Sequence, residues 1–308
     1  MIHETLDMFL EIDRQEKELI IASKLGVSRE YVIAHPETIL SQKIFSEILS
    51  LITKRKTGIP LAYLLGKKEF FGRDFLVNKN TLIPRPETEM LVEEALRIIH
   101  KKNVNDIVLV DVGTGTGSLP LSVLSSLPSS LRPKTFACDI SKRALSVAQK
   151  NAENLSLSEA IIFFHSDLLK NFFPKFISLK NNSLLIITAN LPYVPETAYR
   201  EAPQNKESLG ILFEPKKALV SGNDGLDHYR RLFRQLSKNI EKLPDQTMLL
   251  CEFFGDTTQK DFFESKTQTY LPKSAISIQN DLSGRPRMAT ITIQNTRSSF
   301  QKTKKRVL

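Results

Sequence analysis

No stretch of the chain approaches the roughly 20 consecutive apolar residues that a membrane-spanning helix needs, which argues against an integral helical membrane protein. Cysteine is nearly absent: only Cys138 and Cys251 occur, each inside an apolar, strand-like run. Two thiols so placed argue against a disulfide framework and for a reducing compartment, so a cytoplasmic location is expected. The start of the chain, Met1 to Leu19, carries Glu4, Asp7, Glu11 and Asp13, the wrong chemistry for a secretory signal or transit peptide. Internal repeats, low-complexity tracts and a heptad seam are also missing, and a monomer is the expected state.

What is present is ordinary for a globular protein. Hydrophobic residues make up 41% and charged residues 25% of 308, a length that suits a main domain and a smaller one. The net charge of +9 is unevenly spread. Arg297, Lys302, Lys304, Lys305 and Arg306 place five of those charges, with no acid among them, in the last twelve residues. A basic tail over 297–308 is expected to be a solvated, disordered end. The milder excess elsewhere does not call for nucleic acid as the primary partner.

Up to about Lys68 the chain reads as helices. Ser41 is placed to cap a helix whose Ile44, Ile48 and Leu51 share one face, and Gly58 and Pro60 end it. Phe70, Phe71, Phe75 and Val77 flank Gly72-Arg73 as in a short β-hairpin, followed by the rigid Pro84-Arg85-Pro86. From Glu87 on, apolar runs at Ile107–Val110, Thr135–Cys138, Ile161–Phe164, Leu184–Thr188 and Met248–Glu252 alternate with segments of helical composition. Ser141 is placed to cap one of these, Ser141–Asn151. Such alternation predicts an α/β domain with a mostly parallel sheet covered by helices. The runs Ala275–Ile278 and Met288–Ile293 fit a terminal antiparallel pair. Between Val194 and Asp224 there is little periodicity, and a loop of that length inside a domain is usually functional.

Two places carry chemistry. The first is Asp111-Val112-Gly113-Thr114-Gly115-Thr116-Gly117, between an apolar strand and a helical run. Glycines at alternate positions allow a sharp turn and close approach of backbone to a ligand. Asp139 ends the next strand, where a carboxylate can accept from both ribose hydroxyls. Asp167 and Leu168 end the third strand, where they can meet the amine and the ring of adenine. The third glycine falls one residue early for a dinucleotide fingerprint, so the turn resembles that of Rossmann-like enzymes using S-adenosyl-L-methionine.

The second is Asn190-Leu191-Pro192-Tyr193, which closes the fourth apolar run and is similar to the Asn-Pro-Pro-Tyr motif of amino-methyltransferases acting on planar nitrogens. An amide nitrogen is a poor nucleophile because its lone pair is delocalised; the rotation barrier of about 18–20 kcal/mol measures how strongly. Its site needs acceptors that orient the NH₂, and the Asn190 side-chain oxygen and the Leu191 main-chain carbonyl can each take one hydrogen. Tyr193 can pack against the planar group and exclude water. Leu191 replaces the family's proline, but a main-chain carbonyl is available from any residue.

Further segments carry a longer resemblance: Gly58-Ile59-Pro60-Leu61-Ala62-Tyr63, Glu69-Phe70-Phe71-Gly72, Ile83-Pro84-Arg85-Pro86-Glu87-Thr88-Glu89, Phe213-Glu214-Pro215, Asp224-Gly225-Leu226-Asp227 and Asp281-Leu282-Ser283-Gly284-Arg285. Over roughly residues 40–294 the chain resembles the release factor glutamine methyltransferases. The resemblance implies a Rossmann-like, seven-stranded class I methyltransferase domain with a small N-terminal helical domain and a β-hairpin linker. The expected boundaries are 1–68, 69–86 and 87–296, the first holding the protein substrate. It implies methyl transfer from S-adenosyl-L-methionine, leaving S-adenosyl-L-homocysteine and using no metal, to the Gly-Gly-Gln glutamine of class 1 release factors. The competing readings are a ribosomal-protein glutamine, a base in nucleic acid, or binding without turnover. A base-modifying enzyme would need a strongly basic groove, whereas the basic residues of the front segment are interleaved with acids.

Overall fold

Hydrophobic alternation within the apolar runs sorts the core into two layers. In the strand Ile107–Val112, Val108, Val110 and Val112 join one buried cluster, and Leu109 joins another. Leu185, Ile187 and Ala189 of the strand Leu184–Ala189 likewise face the first cluster, Leu184 and Ile186 the second. A strand that buries both faces must lie inside a sheet covered on both sides by helices. The computed structural model, which describes residues 1–101, 106–173, 183–202 and 206–294, has this architecture. The basic segment 297–308 lies outside the described residues.

The chain opens with helices α1 (Ile2–Asp7), α2 (Arg14–Leu25), α3 (Arg29–Ala34), α4 (Gln42–Lys56) and α5 (Leu61–Leu65). Their starts are set locally: Asp13, Ser28 and Ser41 accept from backbone N–H groups of α2, α3 and α4. Ile2, Ile20, Ile21, Val32, Ile48 and Ile52 form a core of their own. A hairpin follows, β1 (Lys67–Phe70) and β2 (Arg73–Leu76), turning at Phe71-Gly72 with both residues at positive φ. Lys67 and Lys68, read above as helical, are strand residues. Their exposed, charged composition gives no strand signal; the pairing of Lys67 with Leu76 and Lys68 with Phe75 decides it.

The main sheet contains β3 (Ile107–Val112), β4 (Lys134–Asp139), β5 (Ile161–His165), β6 (Leu184–Ala189), β7 (Gln246–Glu252), β8 (Ala275–Asn280) and β9 (Pro286–Gln294). Their order is β5-β4-β3-β6-β7-β9-β8; the first five are parallel, and β9 runs antiparallel to both of its neighbours, β7 and β8. Helices α6 (Glu89–Lys101), α7 (Ser118–Ser125) and α8 (Lys142–Asn154) lie between hairpin and β5, and Asp227–Lys238 precedes β7. Ser141 caps α8 by accepting from Ala144 N–H.

The order of strands runs outward in opposite directions from β3 to β4 and from β3 to β6. A crevice therefore opens at their carboxyl ends, the usual ligand position in such sheets. The stretch Val194–Asp224 is not uniformly irregular: it holds the helix Glu196–Glu201 and the 3₁₀ turns Lys206–Phe213 and Lys216–Ala218. Elements this short carry too few turns for an apolar period to show.

Candidate active site

Register brings residues distant in sequence to one rim. Val112 stands opposite Cys138 on one side and Ala189 on the other, so Gly113, Asp139 and Asn190 emerge side by side. They wall a cavity of about 460 Å³ together with Gly115, Leu168 and Pro192. That volume lies in the range of pockets that enclose a small molecule.

At its nucleotide end, Gly113 and Thr114 both donate N–H to the Cys138 carbonyl, each at 2.9 Å, binding the turn to β4. Gly113 and Gly115 have φ of 76° and 55°, a conformation that side chains disfavour. The Asp139 carboxylate accepts from Gly115 N–H at 3.0 Å and from Ser141 N–H at 2.7 Å. Burial raises its pKa above the usual carboxylate value, opposed by these backbone donors and the nearby His165. The carboxylate is thus fixed at the mouth of the turn with lone pairs to spare. Asp167 and Leu168 also line the cavity. Asp167 is ion-paired with Arg231, and Leu168 is buried and holds a positive φ of 54°.

The other glycine-turn residues are placed differently. Asp111, Thr114 and Thr116 line a smaller adjoining recess of about 50 Å³ that also touches Pro84 and Asn190. Asp111 accepts from the Thr188 hydroxyl at 2.7 Å, and burial pushes its carboxyl up to about 6, opposed by the hydroxyls of Thr114 and Thr188. Gly117 lines neither space. Gly117 shares the positive φ of Gly113 and Gly115, at 75°, and a Cβ there would in addition come within 3.1 Å of Leu121 Cδ1 and 3.2 Å of the Ala148 methyl, so turn geometry and helix packing both constrain it.

At the other end, Asn190 Nδ2 donates to the Thr88 hydroxyl at 2.8 Å, and among the described residues none donates to Oδ1. Leu191 N–H donates to the Tyr229 hydroxyl at 3.4 Å; among the described residues none donates to the Leu191 carbonyl. The Leu191 side chain is buried, and its Cδ2 fills the space beside Gly113. Tyr193 lies beside this wall, with its hydroxyl donating to Glu252 Oε1 at 2.8 Å and its ring 6.4 Å from that of Phe254. Burial and the Glu252 charge raise the Tyr193 hydroxyl well above the ordinary phenol value.

Glu252 was not singled out from sequence. It ends β7, wholly buried, and its carboxyl is raised by burial against the hydroxyls of Thr88 and Tyr193. An acid closing an apolar run was the available signal; its neighbours were not visible.

Three further contacts hold the wall. Gln259, fully buried, donates to the Tyr193 and Asp224 carbonyls at 2.8 and 3.0 Å and accepts from Phe254 N–H at 2.9 Å. A Cβ on Gly225 would sit 2.0 Å from the Tyr193 carbonyl oxygen, a distance only backbone movement could relieve. Gly225→Ala is therefore expected to destabilise the fold by at least about 2 kcal/mol, read as a lower midpoint in urea. Across the hairpin exit, Arg85 pairs with buried Glu214, which also accepts from Ile83 N–H at 2.9 Å. Arg85→Ala would leave Glu214 with that single donor. Because Arg85 is partly exposed, a loss of about 2 kcal/mol is expected in the same assay, below the 3–5 kcal/mol of a fully buried pair.

Comparison with known proteins follows this geometry. Residues 7–66 match the model of the PrmC N-terminal domain. Curated relatives named "Release factor glutamine methyltransferase" span nearly the whole chain. That of Nitratidesulfovibrio vulgaris is 32% identical, covering 89% of this chain and 87% of its own length. That of Borreliella burgdorferi is 35% identical, covering 86% and 87%. That of Bacillus anthracis is 28% identical, covering 92% and 93%. Among solved structures, the hMettl16 catalytic domain in complex with the MAT2A 3'UTR hairpin 6 superposes with a TM-score of 0.52 at 13% identity, covering 82% of each chain. The human methyltransferase 10 domain containing protein gives 0.50 at 14%, covering 80% of this chain and 94% of its own. At such identities these two structures speak for the fold alone.

Proposed function

The chain belongs to the release factor glutamine methyltransferase family, and from that premise we propose that it methylates the Gly-Gly-Gln glutamine of class 1 release factors at the side-chain amide nitrogen. The single observation that carries the reading is the pair of open acceptors, Asn190 Oδ1 and the Leu191 carbonyl, on the wall of a nucleoside-sized cavity. S-adenosyl-L-methionine, when bound, supplies an electrophilic methyl group on a sulfonium and leaves as S-adenosyl-L-homocysteine.

The residues fit that cofactor. Gly113 and Gly115 let the backbone come close, Asp139 offers acceptors to ribose hydroxyls, and Asp167 and Leu168 suit an adenine amine and ring. Asp111, Thr114 and Thr116 face the adjoining recess, where they suit the polar methionine end of the cofactor. Asn190 and Leu191 would each take one amide N–H of the glutamine, turning the nitrogen lone pair toward the methyl group. Tyr193, tied to Glu252, and Pro192 would close the sides of the planar amide and keep water away. No base is needed before transfer; the methylated nitrogen would then release one N–H proton to solvent, and orientation of the nitrogen supplies much of the barrier reduction.

The helical unit at the front, expected above to end at 68 and ending before β1 at Lys67, is the part we assign to holding the release factor, with the hairpin segment up to 86 as linker and 87–296 as the catalytic domain. None of the helices among the described residues is long and apolar enough to cross a membrane; we infer a cytoplasmic monomer that needs no metal. Labelled S-adenosyl-L-methionine offered with release factor, ribosomal proteins or nucleic acid in separate reactions tests the substrate. Label on the release factor is expected. Label only on ribosomal protein or nucleic acid would refute the assignment.

A further inference from the structure

His228, Arg231 and Gln235 follow one another at three and four residues along the helix Asp227–Lys238, and so share one face. His228 lines the cavity. The Arg231 guanidinium pairs with the Asp167 carboxylate at Oδ2. Gln235 grips the backbone of the same loop. Its Oε1 accepts from Leu169 N–H at 2.8 Å, and its Nε2 donates to the Asp167 carbonyl at 3.3 Å. An N–H can only donate and a carbonyl can only accept, so these partners fix which end of the Gln235 amide is which.

Between the two gripped groups stands Leu168, whose φ of 54° is one that leucine rarely adopts. The Asp167 carbonyl also accepts from Lys170 N–H at 3.2 Å, which closes a turn with Leu168 at its first corner. Glycine or asparagine usually takes a corner of that φ. A leucine keeps it only where its surroundings over-determine the backbone. Here the Leu168 carbonyl accepts from the Cys138 thiol at 3.3 Å, and Gln235 holds the groups on either side. The turn is thus tied to β4 and to the helix at once. Ser166, Asp167 and Leu168 line the cavity. With Oδ2 paired to Arg231, Asp167 Oδ1 has no donor among the described residues and remains for a ligand.

We propose that Gln235 and Arg231 are positioning residues for the nucleobase, Gln235 holding the turn at Leu168 and Arg231 orienting the Asp167 carboxylate. Together they make the cavity select adenine, whose exocyclic amine donates, over a base that presents an oxygen at that place. Neither residue lines the cavity, so both act through the turn. Loosening either lets the carboxylate swing or Leu168 relax to an ordinary φ, and the acceptor leaves the edge of the base. The inference rests on the reading of Asp167 and Leu168 as the adenine end of the cavity.

Titration calorimetry compares S-adenosyl-L-homocysteine with its hypoxanthine counterpart, which carries a carbonyl oxygen in place of the amine. Wild type, Gln235→Met, Arg231→Met and Asp167→Ala are measured, with thermal midpoints to report folding. Gln235→Met keeps the length of the side chain and removes both hydrogen bonds. Gln235→Met and Arg231→Met are each expected to weaken S-adenosyl-L-homocysteine about tenfold, the scale of a lost hydrogen bond to a charged group, and the hypoxanthine ligand by no more than about twofold. The preference for adenine then falls about fivefold to tenfold, whereas a purely structural defect would weaken both ligands alike. Methyl transfer to release factor at saturating S-adenosyl-L-methionine should stay within about threefold of wild type. An adenine preference unchanged in either variant, or an equal loss for both ligands, would overturn the positioning role of that residue when Asp167→Ala has lost the preference. A wild-type preference in Asp167→Ala would overturn the reading of Asp167 as the adenine acceptor as well. If Gln235→Met does not fold, Arg231→Met, a change at a partly exposed side chain, decides the matter by the same criteria.

Discussion

Replacing Asn190 with alanine is expected to slow methyl transfer by about 10²–10³-fold, the range seen when a preorganised polar group at a reacting centre is removed. Affinity for S-adenosyl-L-methionine should stay within about threefold. Asn190 follows β6 directly, and its amide is anchored through Nδ2 on Thr88, so Oδ1 is held in place with no donor among the described residues. The Leu191 carbonyl would still take one N–H of the glutamine, so the substrate could enter but would rotate about that single contact. The lone pair would then point at the methyl group only part of the time, which lowers kcat more than it raises KM. Rapid-quench kinetics together with equilibrium cofactor binding separate the two. A large loss of cofactor affinity instead would show that Asn190 serves the nucleoside end.

Asp139→Asn is expected to act on the opposite end, weakening S-adenosyl-L-methionine binding by roughly tenfold to a hundredfold. The ionised carboxylate accepts from Gly115 N–H and Ser141 N–H and keeps further lone pairs for ribose hydroxyls. Asparagine retains one oxygen, and its NH₂ would oppose one of the two backbone donors. Hydrogen bonds to charged groups contribute about 1.5–3 kcal/mol each, and about 1.4 kcal/mol is tenfold in affinity. Titration calorimetry reads this directly. With saturating cofactor the transfer rate should recover, because Asp139 is remote from the Asn190 amide in its role.

The sheet was legible because its signal is local. Each apolar run from Ile107 to Ile293 is a few residues too short for a helix and is bounded by turn residues, and all seven runs are strands in the structure. Six of the seven strands run one or two residues past the apolar run that marks them, several onto polar residues that carry no apolar signal, as at Asp139, Asn280 and Gln294. Helix starts at Ser41 and Ser141 were readable for the same local reason: the cap bonds lie within three residues.

The candidate site divides along the same line. Gly113, Gly115, Asp139, Leu168 and Asn190 could be read because each stands at or shortly after the carboxyl end of a strand, where the topology gathers ligands. What was not legible depends on partners far away in sequence. Asp167 pairs with Arg231, 64 residues on, and Tyr193 with Glu252, 59 residues on. Arg85 found its explanation only when Glu214 came within reach. Gly117 looked equivalent to its two neighbours in the motif, but the packing of α7 against α8 puts Leu121 and Ala148 beside it. Glycine needed for close helix contact and glycine needed for close ligand contact leave the same mark in a sequence.

The central claim is that two acceptors on this wall hold a glutamine amide for methylation. Tandem mass spectrometry of a class 1 release factor, after incubation with the protein and S-adenosyl-L-methionine, tests it most directly. The account predicts one added methyl group, located on the side-chain nitrogen of the Gly-Gly-Gln glutamine and missing when Asn190→Ala replaces the wild-type protein. A methyl group on any other residue, or an unmodified release factor in the presence of active, cofactor-bound protein, would contradict it.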